Sequence, residues 1–215
     1  MSDTNSLLIN EIFYSIQGES LTTGEPTIFI RLAGCPLRCS YCDTSYAFKD
    51  GEELSFDSIM KKISKYNTSY VTVTGGEPLS QKNCYTFLDL VSSKFLVSLE
   101  TSNAYPIKDV NKNISIVLDV KTPRSNESYN NLELNYNYLK NKDQIKFVIC
   151  DKTDYEWSVD YIQKHKLDEK CKILFSPSYD EMSPTELADL ILSDGLNVRL
   201  QIQLHKVLWG NERGK

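Results

Sequence analysis

The sequence predicts an α/β fold: an incomplete parallel β/α barrel of about six units that forms one domain over residues 1–215. Two observations predict this class. Short apolar runs rich in β-branched residues alternate along the chain with segments of helical periodicity. Strands separated by helices favour parallel pairing through right-handed crossovers. Because a closed barrel of this kind needs eight units, about six units predict a barrel that stays open.

The first half of the chain contains the cysteine-rich loop and the first predicted strands and helices. A strand is predicted at 28–32, which is apolar except for Arg31 and leads directly into a cysteine-rich loop. Ser55 is suited to cap a helix whose apolar residues recur at helical spacing from Phe56 to Ile63. The remaining elements predicted in this half are a strand at 70–74, a helix at 84–91, and strands at 95–99 and 114–120.

The second half continues the alternation. Ser183 and Glu186 form a capping-box pattern with Pro184 at the first helical position, which predicts a helix that runs through Leu192. The other elements predicted here are a strand at 144–150, a polar helix at 154–166, a strand at 172–175 that stops at Ser176-Pro177, and a strand at 197–204.

Two segments lack clear periodicity. Residues 13–19 read FYSIQGE, which fits neither a good helix nor a regular strand, and Gln17 and Glu19 flank a glycine that permits close approach. We expect this run to form a substrate loop. The Asn-rich stretch 125–141 is expected to carry at most one helix, around 132–139.

Composition narrows the classes of function. The net charge of −5 argues against a surface that coats nucleic acid, so a small-molecule substrate is favoured. No apolar run approaches the roughly 20 residues that span a bilayer, and the first residues, Met1 to Asn5, are polar rather than signal-like. We therefore expect a cytoplasmic protein without direct nucleic-acid or membrane partners.

Three closely spaced cysteines, Cys35, Cys39 and Cys42, are the most informative motif. Three thiolates can hold a [4Fe-4S] cluster and leave its fourth iron open, which suits chelation by S-adenosylmethionine and its reductive cleavage. A structural zinc site would want a fourth protein ligand. A disulfide framework would suit a short secreted chain instead. The remaining cysteines, Cys84, Cys150 and Cys171, stand alone and are expected to be small buried hydrophobes.

Other polar residues follow predicted strands. Gly75 and Gly76 allow a ligand to approach the backbone closely, and Glu77 could accept a hydrogen bond from an ammonium group, although a simple glycine turn explains the pattern about as well. Glu100-Thr101 and Asp119-Val120-Lys121 end two strands at the same predicted rim. Taken singly, such residues are more often solvated strand termini, so their shared rim is what favours a common cleft.

Several single residues leave two interpretations open. Arg31 interrupts an apolar strand, so it should meet either a ligand anion or a structural carboxylate. Asp43-Thr44 either offers hard oxygen atoms for magnesium or forms an ordinary turn. His165 is expected at the surface of a charged helix, and His205 is expected near the barrel mouth because it follows the last predicted strand. Two histidines alone do not supply a set of metal ligands.

Four motifs together resemble the 7-carboxy-7-deazaguanine synthases, radical SAM enzymes of the queuosine pathway. The resemblance covers nearly the full chain. The motifs are FYSIQGE at 13–19, IFIRLAGCPLRCSYCDT at 28–44, TGGEP at 74–78 and QLHKVLWGNERGK at 203–215. Two segments depart from the usual family pattern: Ser20 stands where glycine is common, and Asp119-Val120-Lys121 stands where a serine-containing version is more usual.

The resemblance implies an activity and its cofactors. The enzyme would convert 6-carboxy-5,6,7,8-tetrahydropterin to 7-carboxy-7-deazaguanine with loss of ammonia, using a [4Fe-4S] cluster, S-adenosylmethionine and Mg²⁺. The radical chemistry would belong to the cofactor, so no protein side chain is assigned as catalytic. A flavodoxin or ferredoxin-type electron donor and a homodimer are implied as well.

The resemblance also implies roles for residues at matching positions. Cys35, Cys39 and Cys42 would bind the cluster, and Thr44 the magnesium ion. The substrate-binding positions are Ile16, Gln17, Gly18, Arg31, Thr74 and, through the chain's end, Lys215. The cofactor-binding positions are Tyr41, Cys42, Asp43, Gly76, Glu77, Thr101, Asp119, Lys121, Phe175, Ser176 and Pro177.

Two other classes fit part of the pattern. An activase that installs a glycyl radical on a large partner enzyme would share the three-cysteine cluster but would lack a pterin pocket. A zinc-binding or redox-sensing module would share the cysteines but would contain no iron or sulfide.

Overall fold

A computed structural model describes residues 5–215, so the polar start of the chain lies outside the described residues except for Asn5. The strands are β1 (Ser6–Ile16), β2 (Pro26–Leu32), β3 (Glu52–Ser55), β4 (Tyr70–Gly75), β5 (Leu96–Ser102), β6 (Ser115–Val120), β7 (Gln144–Ile149), β8 (Lys172–Pro177) and β9 (Arg199–Leu200). The α-helices are α1 (Phe56–Ile63), α2 (Asn83–Ser92), α3 (Lys152–His165), α4 (Pro184–Ser193) and α5 (Leu204–Trp209).

The strands form one nine-stranded sheet in the order β3-β1-β2-β4-β5-β6-β7-β8-β9. Neighbours pair in parallel from β2 to β9, whereas β1 pairs antiparallel with β2 and β3. The predicted α/β fold with an open, mostly parallel sheet is confirmed. Within residues 5–215, the crossovers from β5 to β6 and from β6 to β7 contain no α-helix, and the second of them contains three 3-10 turns.

Apolar side chains of the parallel strands and their helices form the core. Ile28 and Ile30 of β2, Phe87 of α2 and Phe147 of β7 are all fully buried. Continuous apolar runs are what strands covered on both faces require. The three solitary cysteines, Cys84, Cys150 and Cys171, are buried as expected.

Both predicted helix caps are confirmed. The Ser55 hydroxyl accepts a hydrogen bond from the backbone N–H of Ser58 at 3.2 Å. The Ser183 hydroxyl accepts one from the N–H of Glu186 at 3.5 Å. Each cap satisfies a helix N–H that has no partner within the helix, which typically contributes about 1 kcal/mol.

The run 13–19 is partly a strand, so its prediction as a loop is wrong for its first half. Phe13 to Ile16 complete β1 and pair with β2. The rings of Phe13 and Phe29 stack with centroids 4.8 Å apart across that pairing. Cross-strand packing of this kind decides strand formation and is not visible in the run itself. The loop begins at Gln17.

The last predicted strand, 197–204, is also wrong in extent. Only Arg199 and Leu200 pair with β8, and helix α5 begins at Leu204. The N–H of Leu204 bonds to the carbonyl of Gly18 at 3.0 Å, which turns the chain away from the sheet and towards the loop after β1.

Smaller differences concern element ends and one histidine. Helix α3 begins at Lys152 rather than at 154, because Asp151 caps it through the N–H of Asp154. The helix expected around 132–139 is a 3-10 helix at Glu133–Asn137. His165 is not a surface residue: its ring packs 4.4 Å from that of Tyr161 and its side chain is 13% exposed. No helix within residues 5–215 has the length and hydrophobicity needed to cross a membrane.

Candidate active site

A cleft of about 720 Å³ opens where the parallel strands end at their carboxyl edge. This edge is where α/β proteins commonly place their ligands. The cleft brings together most of the residues predicted from the sequence: Ile16, Gln17, Gly18, Arg31, Cys35, Cys39, Tyr41, Cys42, Asp43, Thr44, Thr74, Gly76, Thr101, Asp119, Lys121, Ser176, Pro177 and Lys215.

The cysteine loop follows β2 directly. Cys35, Cys39 and Cys42 are free, half-buried thiols that all line the cleft. Burial raises the pKa of Cys39 to about 11 and raises the pKa values of Cys35 and Cys42. Burial therefore makes the thiolates costly to form, and iron bound as a cluster would offset this cost, because the thiolate is the form that binds metal.

The donor set fits a cluster better than a single ion. In the part of the chain that the structure describes, no group of three or more His, Cys, Asp or Glu side chains could hold one metal ion. A structural zinc site requires such convergence, whereas in an iron–sulfur cluster each thiolate binds a different iron. Three cysteines on one cleft wall therefore match the cluster.

The glycine pair after β4 packs directly against the cysteine loop. A Cβ atom at Gly76 would lie 2.2 Å from the carbonyl oxygen of Gly34 and 2.9 Å from the Cβ atom of Cys35. Gly75 has φ +152°, and a Cβ atom there would lie 2.3 Å from the carbonyl oxygen of Leu32. Only glycine fits this close backbone contact, so the TGGEP motif is required for the shape of the cleft wall.

Two predicted cofactor contacts do not line the cleft. Glu77 is fully buried behind it, and its carboxylate accepts hydrogen bonds from the N–H of Leu79 (2.8 Å), the Thr101 hydroxyl (2.6 Å), and the N–H (2.7 Å) and hydroxyl (2.6 Å) of Ser102. This carboxylate ties the loop after β4 to the end of β5. Phe175 is also fully buried, with its ring centroid 5.7 Å from that of Phe147.

Two buried polar atoms on the cleft wall have no hydrogen-bond partner among the described residues. They are the hydroxyl of Tyr41 and Oδ1 of Asp119. The Lys121 ammonium lies 3.0 Å from the other oxygen of Asp119 and 5.7 Å from the centre of the Tyr41 ring. Because unpaired buried polar atoms are rare, these two fit a polar ligand such as S-adenosylmethionine.

A chain of charges crosses the floor of the cleft. Lys146 of β7 lies 2.7 Å from Glu19 and 3.8 Å from Asp119. Burial alone would lower the pKa of Lys146, but Glu19, Asp119 and Glu100 outweigh it and raise the pKa. Burial opposes ionisation of Glu19, yet Lys146 holds the pKa of that carboxyl below its usual value. Lys146 was not predicted as a site residue, because in the sequence it is one polar residue within a mostly apolar strand.

Glu100 organises the opposite wall. Its carboxylate accepts hydrogen bonds from the Gln17 side-chain amide at 3.2 Å and from the Thr74 hydroxyl at 3.0 Å. Burial, reinforced by the nearby charge of Glu19, raises the pKa of Glu100. Because Gln17 is itself almost fully buried, this wall is pre-formed rather than solvated.

Arg31 has the structural carboxylate partner that was one of its two expected interpretations, and its contact with a ligand anion stays a prediction. Its guanidinium lines the cleft and also pairs with Glu11 of β1, with Nε and Oε1 2.7 Å apart. The Tyr46 hydroxyl bonds to the same Glu11 oxygen at 2.9 Å. Arg213 lies 3.5 Å above the Tyr46 ring, which draws the chain's last residues over the cleft. Glu11, Tyr46 and Arg213 were not predicted as site residues.

Oxygen atoms suited to a hard cation lie beside the third cysteine. The Thr44 hydroxyl donates to Oδ1 of Asp43 at 2.9 Å, and the Gln203 side-chain amide lies 3.4 Å from Oδ2 of Asp43. Hydroxyl and carboxylate oxygens are the ligands that Mg²⁺ takes, usually together with waters. The oxygen atoms of Asp43 and Thr44 are therefore of the chemical type that a magnesium ion binds.

The C-terminal segment closes one side of the cleft. A Cβ atom at Gly18 would lie 2.1 Å from Nδ1 of His205, so the loop after β1 and helix α5 are in direct contact. Burial lowers the pKa of His205. Lys215 lines the cleft together with Arg213.

Comparisons with known proteins show the family and the fold of this chain. Residues 29–126 match the model of the radical SAM superfamily. The 7-carboxy-7-deazaguanine synthase of Chlorobaculum tepidum is 39% identical, over 97% of this chain and 97% of its own length. The synthase of the same name from Methanospirillum hungatei is 40% identical, over 96% of this chain and 87% of its own.

A solved structure has the same fold. The crystal structure of QueE from Escherichia coli superposes with a TM-score of 0.77 at 25% identity, covering 93% of this chain and 95% of that one. The chain therefore belongs to the 7-carboxy-7-deazaguanine synthase family of the radical SAM superfamily.

Proposed function

We propose that this chain is a radical SAM lyase that converts 6-carboxy-5,6,7,8-tetrahydropterin to 7-carboxy-7-deazaguanine with loss of ammonia. One observation carries the proposal. The cysteine loop, the Asp43-Thr44 pair and the glutamine-bearing loop after β1 all line a single cleft, in a chain that belongs to this family. A glycyl-radical activase would need the first of these features but has no use for the other two.

Cys35, Cys39 and Cys42 would hold the cluster, and the adjoining wall would hold S-adenosylmethionine. When bound, these groups supply a one-electron reductive cleavage that starts radical chemistry on the substrate. The cofactor would be placed by Tyr41, Asp43, Gly76, Thr101, Asp119, Lys121, Ser176 and Pro177, with Phe175 and Glu77 supporting that wall from behind. The unpaired atoms of Tyr41 and Asp119 support this side of the cleft for the cofactor.

The opposite wall would hold the pterin. Glu100 holds the Gln17 side-chain amide and the Thr74 hydroxyl, so this wall has its shape before substrate arrives. Ile16 and Gly18 border the same wall, and Arg31 supplies a positive charge. Thr44 would hold Mg²⁺ beside the substrate carboxylate, where a cation neutralises charge and orients the ring. Lys215 would approach the substrate from the C-terminal segment.

Exclusion of water is the chain's other contribution. Radical intermediates react with whatever lies near, so a covered cleft protects them. Arg213 on the Tyr46 ring and His205 against Gly18 hold the C-terminal residues at the cleft mouth.

We also propose the setting in which the protein acts. One domain over residues 1–215, with the single sheet as its centre, would function as a homodimer in the cytoplasm. Free cysteines and an iron–sulfur cluster suit that reducing compartment. A flavodoxin or ferredoxin-type protein would supply the electron.

An anaerobic turnover assay tests the proposal. Reconstituted protein with S-adenosylmethionine, a reductant and the carboxypterin should release 7-carboxy-7-deazaguanine and ammonia, faster with Mg²⁺ than without. Thr44→Ala should lose at least about tenfold in rate and most of its response to Mg²⁺. The exposed Thr153 on α3 gives a matched control, and Thr153→Ala should behave as wild type.

Two results would reject the proposal at different levels. Cleavage of S-adenosylmethionine without a deazaguanine product would reject the substrate and favour an activase. Protein that stays colourless and free of iron after reconstitution would reject the cluster itself.

A further inference from the structure

The loop that carries the cysteines is held by a second segment, residues 122–127, here called the brace segment. The N–H of Ser40 bonds to the carbonyl of Ser125 at 3.1 Å, and the Ser40 hydroxyl to the carbonyl of Arg124 at 2.6 Å. The N–H of Arg38 bonds to Oε1 of Glu127 at 2.5 Å. All three bonds fall on the immediate neighbours of Cys39 in the chain, the middle residue of the cysteine triple.

The brace segment is itself anchored to helix α3. The fully buried carboxylate of Asp154 accepts hydrogen bonds from the Thr122 hydroxyl and from the N–H of Arg124, both at 3.0 Å. Within the segment, the Ser125 hydroxyl donates to the carbonyl of Thr122 at 2.6 Å and accepts from the N–H of Glu127 at 3.0 Å. Because the brace segment is held in place by these bonds, it can fix the position of the cysteine loop that is hydrogen-bonded to it.

The same segment continues directly from the cofactor wall. Lys121 precedes it, with its ammonium 3.0 Å from Asp119 and 5.7 Å from the centre of the Tyr41 ring. Asn131 holds Lys121 in place, because its side-chain amide bonds to both the N–H and the carbonyl of that residue, at 3.0 and 2.9 Å. The brace segment therefore joins the wall proposed for S-adenosylmethionine to the loop proposed for the cluster.

Glu127 is the only side chain of the brace segment that reaches a backbone N–H of the cysteine loop in the hydrogen bonds of the described residues. It is 7% exposed and does not line the cleft. Its second oxygen accepts from the Asn130 side-chain amide at 2.6 Å. Both oxygens face donors, which a carboxylate satisfies without any donor of its own.

We propose that Glu127 is a positioning residue for the iron–sulfur cluster, fixing Cys39 relative to Lys121 by holding the N–H of Arg38. The inference rests on the proposed function only in taking Cys35, Cys39 and Cys42 as cluster ligands. Hydrogen bonds and fixed geometry around the ligating sulfurs tune such clusters. Loosening this contact should therefore change the cluster's spectrum and potential and, before any cluster is present, the mobility of the loop.

Three variants separate position from charge. Glu127→Ala removes the contact. Glu127→Asp keeps the charge but shortens the reach by one methylene, so it should fail to hold Arg38. Glu127→Gln removes the charge but keeps a carbonyl for Arg38, while the Asn130 amide can reverse to accept the new N–H₂ group. Tyr129→Ala is the matched control, since Tyr129 lies in the next 3-10 turn and is 80% exposed.

The first measurement is amide hydrogen exchange of the apoprotein with residue-level mass spectrometry. In Glu127→Ala and Glu127→Asp, the Arg38 amide should exchange about tenfold faster or more, as expected for loss of a hydrogen bond to a charged group. Glu127→Gln should stay within about threefold of wild type, and Tyr129→Ala should not change. This arm needs neither cluster nor substrate.

The second measurement is the electron paramagnetic resonance spectrum and midpoint potential of the reconstituted, reduced cluster. The Ala and Asp variants should show a changed line shape and a shifted potential, and should retain less iron. The Gln variant should keep the wild-type line shape.

Unchanged Arg38 exchange in Glu127→Ala would overturn the inference, as would an unchanged cluster despite a loosened loop. Equal defects in the Gln and Ala variants would overturn it too, because charge rather than position would then be responsible. None of these outcomes depends on turnover of the pterin.

Discussion

Replacing Glu77 by glutamine tests whether this residue supports the site or contacts the cofactor. In the structure its two oxygens receive four donors: Oε1 those of Leu79 and Thr101, Oε2 both from Ser102. Glutamine has only one acceptor oxygen. Whichever way the new amide turns, one backbone N–H, from Leu79 or from Ser102, faces an N–H₂ group and loses its partner.

The cost can be estimated from these contacts. A buried N–H without a partner costs about 1–3 kcal/mol, and bonds to a charged acceptor that become neutral lose roughly 1 kcal/mol more. The hydroxyls of Thr101 and Ser102 can rotate and recover part of this. We expect the free energy of unfolding to fall by about 2–4 kcal/mol, which for a chain of this size lowers Tm by roughly 5–15 °C.

The assay is urea unfolding of the apoprotein, without cluster or S-adenosylmethionine. Glu25 provides the matched control, because it is exposed and Glu25→Gln should leave the unfolding midpoint unchanged. If apo Glu77→Gln is as stable as Glu25→Gln but binds S-adenosylmethionine more weakly, the supporting role argued here is wrong and the cofactor contact predicted from the sequence is right.

Three further predictions concern other parts of the cleft. Burial raises the pKa of Glu100 above 4.5, so the folded protein loses stability as the pH rises through that raised pKa. In urea unfolding from about pH 5 to about pH 8, the free energy of unfolding of Glu100→Gln should rise relative to that of wild type, by about 1.4 kcal/mol per unit of pKa elevation. A difference that stays constant over this range would contradict the prediction. Ser20 has φ 70°, a left-handed conformation that glycine adopts more readily than serine. In Ser20→Gly this relief should offset the lost side-chain hydrogen bonds, so the free energy of unfolding should stay within about 1 kcal/mol of wild type. A decrease of more than about 2 kcal/mol would show that the hydroxyl is essential. Gly18→Ala would place a Cβ atom 2.1 Å from Nδ1 of His205, so amide exchange of helix α5 should quicken; unaltered exchange would mean that the contact is readily relieved.

The parallel part of the fold was predictable because its signals are local. Runs such as IFIRL and YVTVT are rich in apolar and β-branched residues, which is typical of the covered strands of a parallel sheet. Ser55 and Ser183 mark the starts of their helices, because each side chain accepts a hydrogen bond from an N–H only three residues further along the chain. The same holds for the cysteine loop, whose three cysteines lie within eight consecutive residues.

The missed features depend on partners far away in the sequence. The second half of β1 pairs with β2, and Phe13 stacks on Phe29 across that pairing. Lys146 becomes a site residue through Glu19, which lies 127 positions earlier in the chain. Glu77 looks like a ligand contact in sequence because nothing local shows that Ser102 will occupy its carboxylate. In each case, tertiary packing decided a role that the residue type left open.

The ends of the sheet have a practical consequence for handling the protein. An edge strand exposes unpaired N–H and C=O groups that can recruit another chain and start aggregation. Here the outermost strands are β3 and β9, with four and two residues, while the long apolar strands lie between them. Edge strands this short give incoming strands little to pair with, so the second half of β1, which β3 does not cover, is where we expect concentrated apoprotein to self-associate.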